Sequence, residues 1–276
     1  MASATCVSTP ELCSLIISHL IMSGSVAVYA TVSREWQSAI ERRSFSTLYL
    51  NQLRLADFAH IVTGPRRRAV RHLRFDIVLD AYTTEMRGRF ETQEEQERNN
   101  EIFTEAIQTL FNHLSSWRPQ DVIETGIELS LQAYSPSDPS YMKQGTLMDR
   151  LGKARHGIGG RDLLAKRFQS SFLQLVTSNT NTTSLQDLLP VVSYITKLEI
   201  VDSGPTGARE LRRFWPASAF LIASKLPRLL NIAFNLWDTE KKDLNLRKRA
   251  RDGIEQYFIL CSCIVGLRPV NSIYGG

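Results

Sequence analysis

Tyr29-Ala30-Thr31-Val32-Ser33-Arg34-Glu35-Trp36-Gln37-Ser38-Ala39-Ile40-Glu41 is the stretch on which the reading of this chain turns. Trp36 and Ile40 stand four apart and share one face of a helix, which Glu41-Arg42-Arg43 carries into solvent. Just before it, Val26 to Val32 forms a short second apolar stretch. Further upstream, Thr9-Pro10-Glu11 has the chemistry of a helix start. Thr caps, Pro sits where a missing N–H costs nothing, and Glu complements the helix dipole. Leu12, Ile16 and Leu20 then recur every four residues with Leu15 alongside, until Ser23-Gly24-Ser25 breaks the helix. Three helices this short bury little surface on their own, so the module needs a partner or a neighbouring domain.

The order of these residues resembles the F-box, and in particular the F-box-like proteins abundant in filamentous fungi. That family has a Pro-x-Glu-like turn into a first helix, a second apolar helix, a Val-Cys-Lys/Arg-x-Trp signature and a closing Leu-x-Leu strand. Here the counterparts are Pro10-Glu11-Leu12, Ile16 and Leu20, then Val32-Ser33-Arg34-Glu35-Trp36, then Leu48-Tyr49-Leu50. The entry is one residue shorter than in the family, and Ser33 replaces the usual Cys. The competing reading is a plain helical cap on a larger domain, with Trp36 as core filler.

Beyond the first strand an apolar-x-x-apolar-x-apolar pattern returns at Phe45/Leu48/Leu50, Val70/Leu73/Phe75, Ile195/Leu198/Ile200 and Leu229/Ile232/Phe234. A fifth alternation, Ile127/Leu129/Leu131, has Gly126 in place of the first apolar residue. Each copy follows a helical stretch or a Leu-Pro break and reads as a short strand. The step from Leu48 to Leu73 falls in the leucine-rich-repeat range of about 20–29 residues; later steps are longer and irregular. The fold class expected is α/β (α+β). A small three-helix F-box at residues 6–50 precedes an irregular leucine-rich-repeat-like solenoid at 51–276, with an unrelated α+β domain as the alternative.

Helices are expected at Leu53 to Val62, at Leu163 to Val176 with Phe168, Phe172 and Leu175 on one side, and between Glu94 and Pro119. The last is strongly amphipathic, with Phe103, Ile107, Leu110, Phe111 and Leu114 on its apolar face, and is expected to pack on the solenoid's outer face. Ser135 to Ser140 and the glycine-rich Lys153 to Gly160 read as exposed loops. Arg66-Arg67-Arg68 is expected in a loop, Arg247-Lys248-Arg249 with Arg251 on a helix, both as solvated faces. The chain ends in Cys261-Ser262-Cys263-Ile264-Val265 and a tail expected to be loose from 267 to 276. That is no polar cap for a solenoid, so truncation at the C-terminus is expected.

Composition excludes little and favours an ordinary globular domain: 43% apolar, 22% charged, formal charge +5 with basic residues scattered along the chain. Cys6, Cys13, Cys261 and Cys263 lack zinc-ligand spacing, and the five histidines fall in no catalytic motif. No cofactor, no metal and no catalytic residues are expected. Nothing resembles a signal peptide, and the run Tyr257 to Leu267 is too short to span a bilayer, so the protein is expected inside the cell, cytoplasmic or nuclear or both.

The F-box resemblance implies a non-catalytic substrate receptor of a Skp–cullin–F-box ubiquitin ligase. It would dock the Skp-type adaptor through Pro10, Leu12, Ile16, Leu20, Val32 and Trp36, with Glu11 at the helix start and Arg34 and Glu35 at a polar rim. The repeat region would hold an unknown protein substrate, and neither a membrane nor nucleic acid is expected as partner. The competing functions are a repeat-type interaction scaffold with no ubiquitin role, or a basic nucleic-acid-associated protein.

Overall fold

In the computed structural model the residues described are 15–17, 19–20, 27–83, 85–138, 167–168, 171–177, 185–201, 212–234 and 248. Five strands lie among them: β1 (Thr47–Asn51), β2 (His72–Val78), β3 (Ile127–Tyr134), β4 (Ile195–Ile200) and β5 (Asn231–Phe234). All five expected alternations are therefore strands. They pair in chain order, every neighbour parallel, in one sheet.

That order has a consequence. Crossovers between parallel strands are right-handed, and a sheet whose strand order never reverses places every crossover on the same face. Among the described residues the other face carries no crossover helix. The side chains agree: Leu48, Leu73, Leu129, Leu198 and Ile232 stand in one rung, and Leu50, Phe75, Leu131, Ile200 and Phe234 in a second. Both rungs pack into the main hydrophobic core. Residues offset by one, such as Tyr49, Arg74, Ser130 and Glu199, form the opposite, polar face.

Before the sheet come α1 (helical residues 15–17 and 19–20), a 3₁₀ turn at Ala27–Thr31, and α2 (Arg34–Ser44). The apolar stretch ending at Val32 thus makes a single 3₁₀ turn rather than an α-helix. Ser33 caps α2 by accepting from the Trp36 N–H at 3.2 Å. Between β1 and β2 lie a 3₁₀ turn at Gln52–Arg54, α3 (Leu55–Ile61) and α4 (Pro65–Ala69).

The arginine run at 66–68 is consequently helical, not a loop, and it is not simply solvated. Arg66 bonds Glu41 at 2.8 Å and stacks over Phe45; Arg67 reaches Asp121 and lies over Trp117; Arg68 donates to the Gln120 carbonyl. Proline at the first position and partners on three other segments hold this short helix in place.

Between β2 and β3 runs α5 (Gln93–Ser115). Thr92 and Glu95 form a reciprocal capping box, with the Thr92 hydroxyl accepting from Glu95 N–H and the Glu95 carboxylate from Thr92 N–H. Phe103, Ile107, Leu110, Phe111 and Leu114 are fully buried, each contributing about 1.5–3 kcal/mol by leaving water. The buried Tyr194 hydroxyl donates to the Leu114 carbonyl at the helix end, and its ring stacks on Trp117.

The helix expected over 163–176 does not run through its second half: residue 167 is helical, but 171–176 are not, and Leu173 bridges in parallel to Phe214. The reason lies in four residues elsewhere in the chain. Asn100 and Thr104 of α5 accept from the N–H groups of Gln174 and Val176, Ser218 accepts from Leu175, and the Arg213 carbonyl from Leu173. With those donors taken, no helical ladder forms. Ser218 belongs to α6 (Pro216–Ser224), a helix that periodicity does not reveal because it is predominantly apolar and buried from Ser218 to Ala223.

Gly126 marks the entry to β3 with φ +78°. The β3–β4 pairing shifts register there, and a Cβ on residue 126 would lie 2.3 Å from Thr196 Cγ2 and 2.8 Å from the Tyr194 carbonyl oxygen. Gly126→Ala is expected to destabilise the protein by about 1–3 kcal/mol, through overpacking and a left-handed backbone. The change is read as a lower urea midpoint. The lysine-to-glycine loop at 153–160, all four cysteines, most of the basic run near 248 and the whole C-terminal end lie outside the described residues.

Candidate functional site

Within the N-terminal module, Ile17 of α1 meets Trp36 and Ile40 of α2 in a small cluster of its own, flanked by Leu20, Ala30 and Ala39. Trp36 is 9% exposed. Its ring therefore holds the module together rather than lying on a surface. The apolar stripe expected on α1 is rotated accordingly: Ile17 points inward and Ile16 outward.

What faces solvent is apolar. Leu15 (66% exposed), Ile16, Val28 (68%), Tyr29 and Val32 (62%) stand on α1 and the 3₁₀ turn, both packed on the same α2 cluster. Leu15, Ile16, His19 and Leu20 line a shallow hollow of about 400 Å³. Arg34 and Glu35 are exposed at the start of α2, where the Ser33 hydroxyl donates to Glu35 at 2.8 Å. Pro10, Glu11 and Leu12 lie outside the described residues. Val28 is as open to solvent as Val32, yet helical spacing does not mark it, because its position follows from the turn geometry.

The second surface is the polar face of the sheet. Glu128 on β3 accepts from Lys197 of β4 at 3.0 Å and lies 3.4 Å from His72 of β2. One rung along, Arg74 contacts Asp76 at 3.3 Å and Gln132 at 2.5 Å, and Gln132 donates to Asp76 at 2.6 Å. Lys197, ahead of burial, holds the Glu128 carboxyl below its usual range. Tyr49 and Glu199 rise exposed from β1 and β4. The face is a grid of mixed charges and hydrogen-bonding groups laid out at strand spacing. Such a grid suits recognition of a protein surface; half-exposed pairs like these add only ~0–1 kcal/mol each to stability.

A third polar assembly is interior. Glu91 and Arg212, both almost wholly buried, pair at 2.8 Å, and Asn99 donates to Glu91 at 2.7 Å. Next to them Glu95 accepts two bonds from Arg89, at 2.7 and 2.9 Å, and lies 3.3 Å from Arg167. Arg167 and Arg212 both lie over the Phe168 ring. The turn after β3 joins this assembly: Ser135 and Asp138 are buried, correcting the expectation of an exposed loop, and Asp138 accepts from the Tyr82 hydroxyl and the Ser135 N–H. These contacts tie the start of α5 to residues 167–168 and 212.

Burial works against the Glu95 carboxylate. The Arg89 hydrogen bonds, the Thr92 N–H and the two arginine charges outweigh it and hold its pKa down to about 2. A depressed folded pKa contributes stability that is complete above the unfolded value of about 4.3 and is lost as pH falls through the folded one. The urea midpoint is therefore expected to drop between pH 5 and pH 2, and Glu95→Gln to flatten that slope. Asp138 has the opposite sign. Burial raises its pKa against Tyr82, Ser135 and the two arginine charges, so its contribution fades as pH rises through the folded value.

No protein-family model, curated protein or solved structure matches the chain. Among the described residues no helix is long and apolar enough to cross a membrane, and no three His, Cys, Asp or Glu side chains are grouped to hold a metal ion.

Proposed function

We propose that this chain is a binding adaptor: the substrate receptor of a Skp–cullin–F-box ubiquitin ligase, acting inside the cell. One observation carries the reading. Among its described residues, a helical module whose small core is Ile17, Trp36 and Ile40 displays Leu15, Ile16, Val28, Tyr29 and Val32 to solvent. A monomer gains nothing by exposing so many large apolar groups on so small a module, and exposed apolar surface marks interaction sites. These residues lie within the stretch that resembles an F-box. Ser33, where the family signature has Cys, serves here as the cap of α2.

The sequential parallel sheet with one open face supports the leucine-rich-repeat-like reading of the remainder, and the polar face is the surface assigned to substrate. Chemistry then belongs to the recruited enzymes, and this chain contributes proximity. A repeat scaffold without a ubiquitin role is the alternative, in which the apolar module covers a different partner.

Co-purification with a Skp-type adaptor separates the two. Val32→Asp and Ile16→Asp place a charge on the exposed surface and are expected to abolish capture while the far-ultraviolet circular dichroism stays unchanged. Trp36→Ala is expected to abolish it by unfolding the module. Capture that survives both surface variants, or that never occurs with the wild-type chain, removes the ligase reading.

A further inference from the structure

The strands do not end together. β1 stops at Asn51, opposite Asp76, while β2 continues to Val78 and β3 to Tyr134. Gln52 fills the next rung with its side chain, donating to the Val78 carbonyl at 2.9 Å and accepting from the Val78 N–H at 3.0 Å. Beyond it the chain turns away into the 3₁₀ segment and α3. The shortfall leaves a cleft of about 840 Å³ at the C-terminal end of the sheet, between that turn and α5, within the ~300–1,000 Å³ of ordinary ligand sites.

Leu55, Val78, Ile102 and Ala106 supply an aliphatic lining, and Leu53 stands in its wall 89% exposed. Among the described residues the charged lining is Asp80 and Glu105, with no Lys, Arg or His, on a chain whose formal charge is +5. Arg98 clamps Asp80 at 3.2 Å from outside the lining. Glu105 is exposed and has no ion-pair or hydrogen-bond partner among the described residues.

We infer that this cleft docks an extended segment of a partner protein carrying aliphatic side chains flanked by lysine or arginine. The aliphatic groups enter between α3 and α5, and the basic groups meet Glu105 and Asp80. Leu53 decides between a peptide and a small molecule. Its exposed side chain is covered only by an occupant that continues past the mouth of the cleft. The inference stands apart from the adaptor reading, since the cleft takes such a segment whether or not the N-terminal module docks a Skp-type protein.

The test uses the full-length chain and fluorescence anisotropy. The probes are labelled nonapeptides with a central Leu, Ile or Met pair flanked by Lys or Arg, and the same peptides with Glu flanks. Saturable binding of basic peptides is expected, weakening with added salt, with the Glu versions about tenfold weaker or worse. Glu105→Lys should cost about tenfold in affinity, while Glu124→Lys, an equal charge change ahead of β3, leaves it unaltered. Absence of binding by every basic peptide, equal binding of the Glu versions, or an unaffected Glu105→Lys overturns the proposal. So does sedimentation showing a dimer that Leu53→Asp dissociates, because the occupant is then a second copy of this chain.

Discussion

Arg212→Ala is expected to destabilise the protein by about 3–5 kcal/mol, the cost of stranding a buried carboxylate without its cation. The Glu91 and Arg212 side chains are nearly wholly buried and 2.8 Å apart. After truncation the Glu91 carboxylate keeps, among the described residues, the Asn99 amide at 2.7 Å. The lost guanidinium also leaves the Phe168 ring, over which it lies at 3.9 Å. Against a typical total stability of about 5–15 kcal/mol the loss is a large fraction, visible as a strongly lowered urea midpoint. A double variant, Glu91→Leu with Arg212→Met, discriminates the cause. Replacing both charges with apolar groups of similar size is expected to recover most of the loss, since the pair repays little more than its own desolvation. If Arg212→Ala costs under ~1 kcal/mol, the pair is solvated and the interior assembly is misplaced.

Phe75→Ala is expected to cost about 3–5 kcal/mol, the range for deleting a large aromatic side chain from a core that cannot collapse into the void. Phe75 is fully buried, flanked by Leu50 and Leu131 in a rung running Leu50, Phe75, Leu131, Ile200, Phe234. Its chain neighbour provides the control. Arg74→Ala, on the opposite face and half exposed, should cost about 1 kcal/mol or less. The contrast tests the register directly, because a slip of one residue exchanges the two faces and would invert the result.

Both variants bear on how much of the protein was legible in its residues. The strands were, since Leu73 and Phe75, or Leu198 and Ile200, alternate with polar neighbours whatever lies beyond them. The long helix was too: Thr92, Glu95 and Pro119 are local signals, and its buried face follows 3.6-residue spacing. The candidate docking surface was legible only in part. Spacing put Ile16 and Trp36 among the contacts; Ile16 is exposed, whereas Trp36 is turned into the module's own core. Helical periodicity says which residues share a face. It does not say which of two apolar faces meets the neighbouring helix when both are available.

Hydrophobic period, caps and breakers act within a few residues, so the residues alone place β1 to β5, α5 and the helix that carries Trp36. Tertiary contacts settle the rest: that 171–177 is not helical, that Arg66, Arg67 and Arg68 bind rather than float, and that Asp138 and Arg212 lie buried. Each of those outcomes depends on hydrogen-bond or charge partners far away in the chain. Asn100, Thr104 and Ser218 claim the N–H groups that a helix needed, and Glu41 and Asp121 claim the arginines. The cleft beside Leu53 is of the same kind: it exists because β1 ends before its neighbours do, a difference between strands that no single stretch of sequence contains.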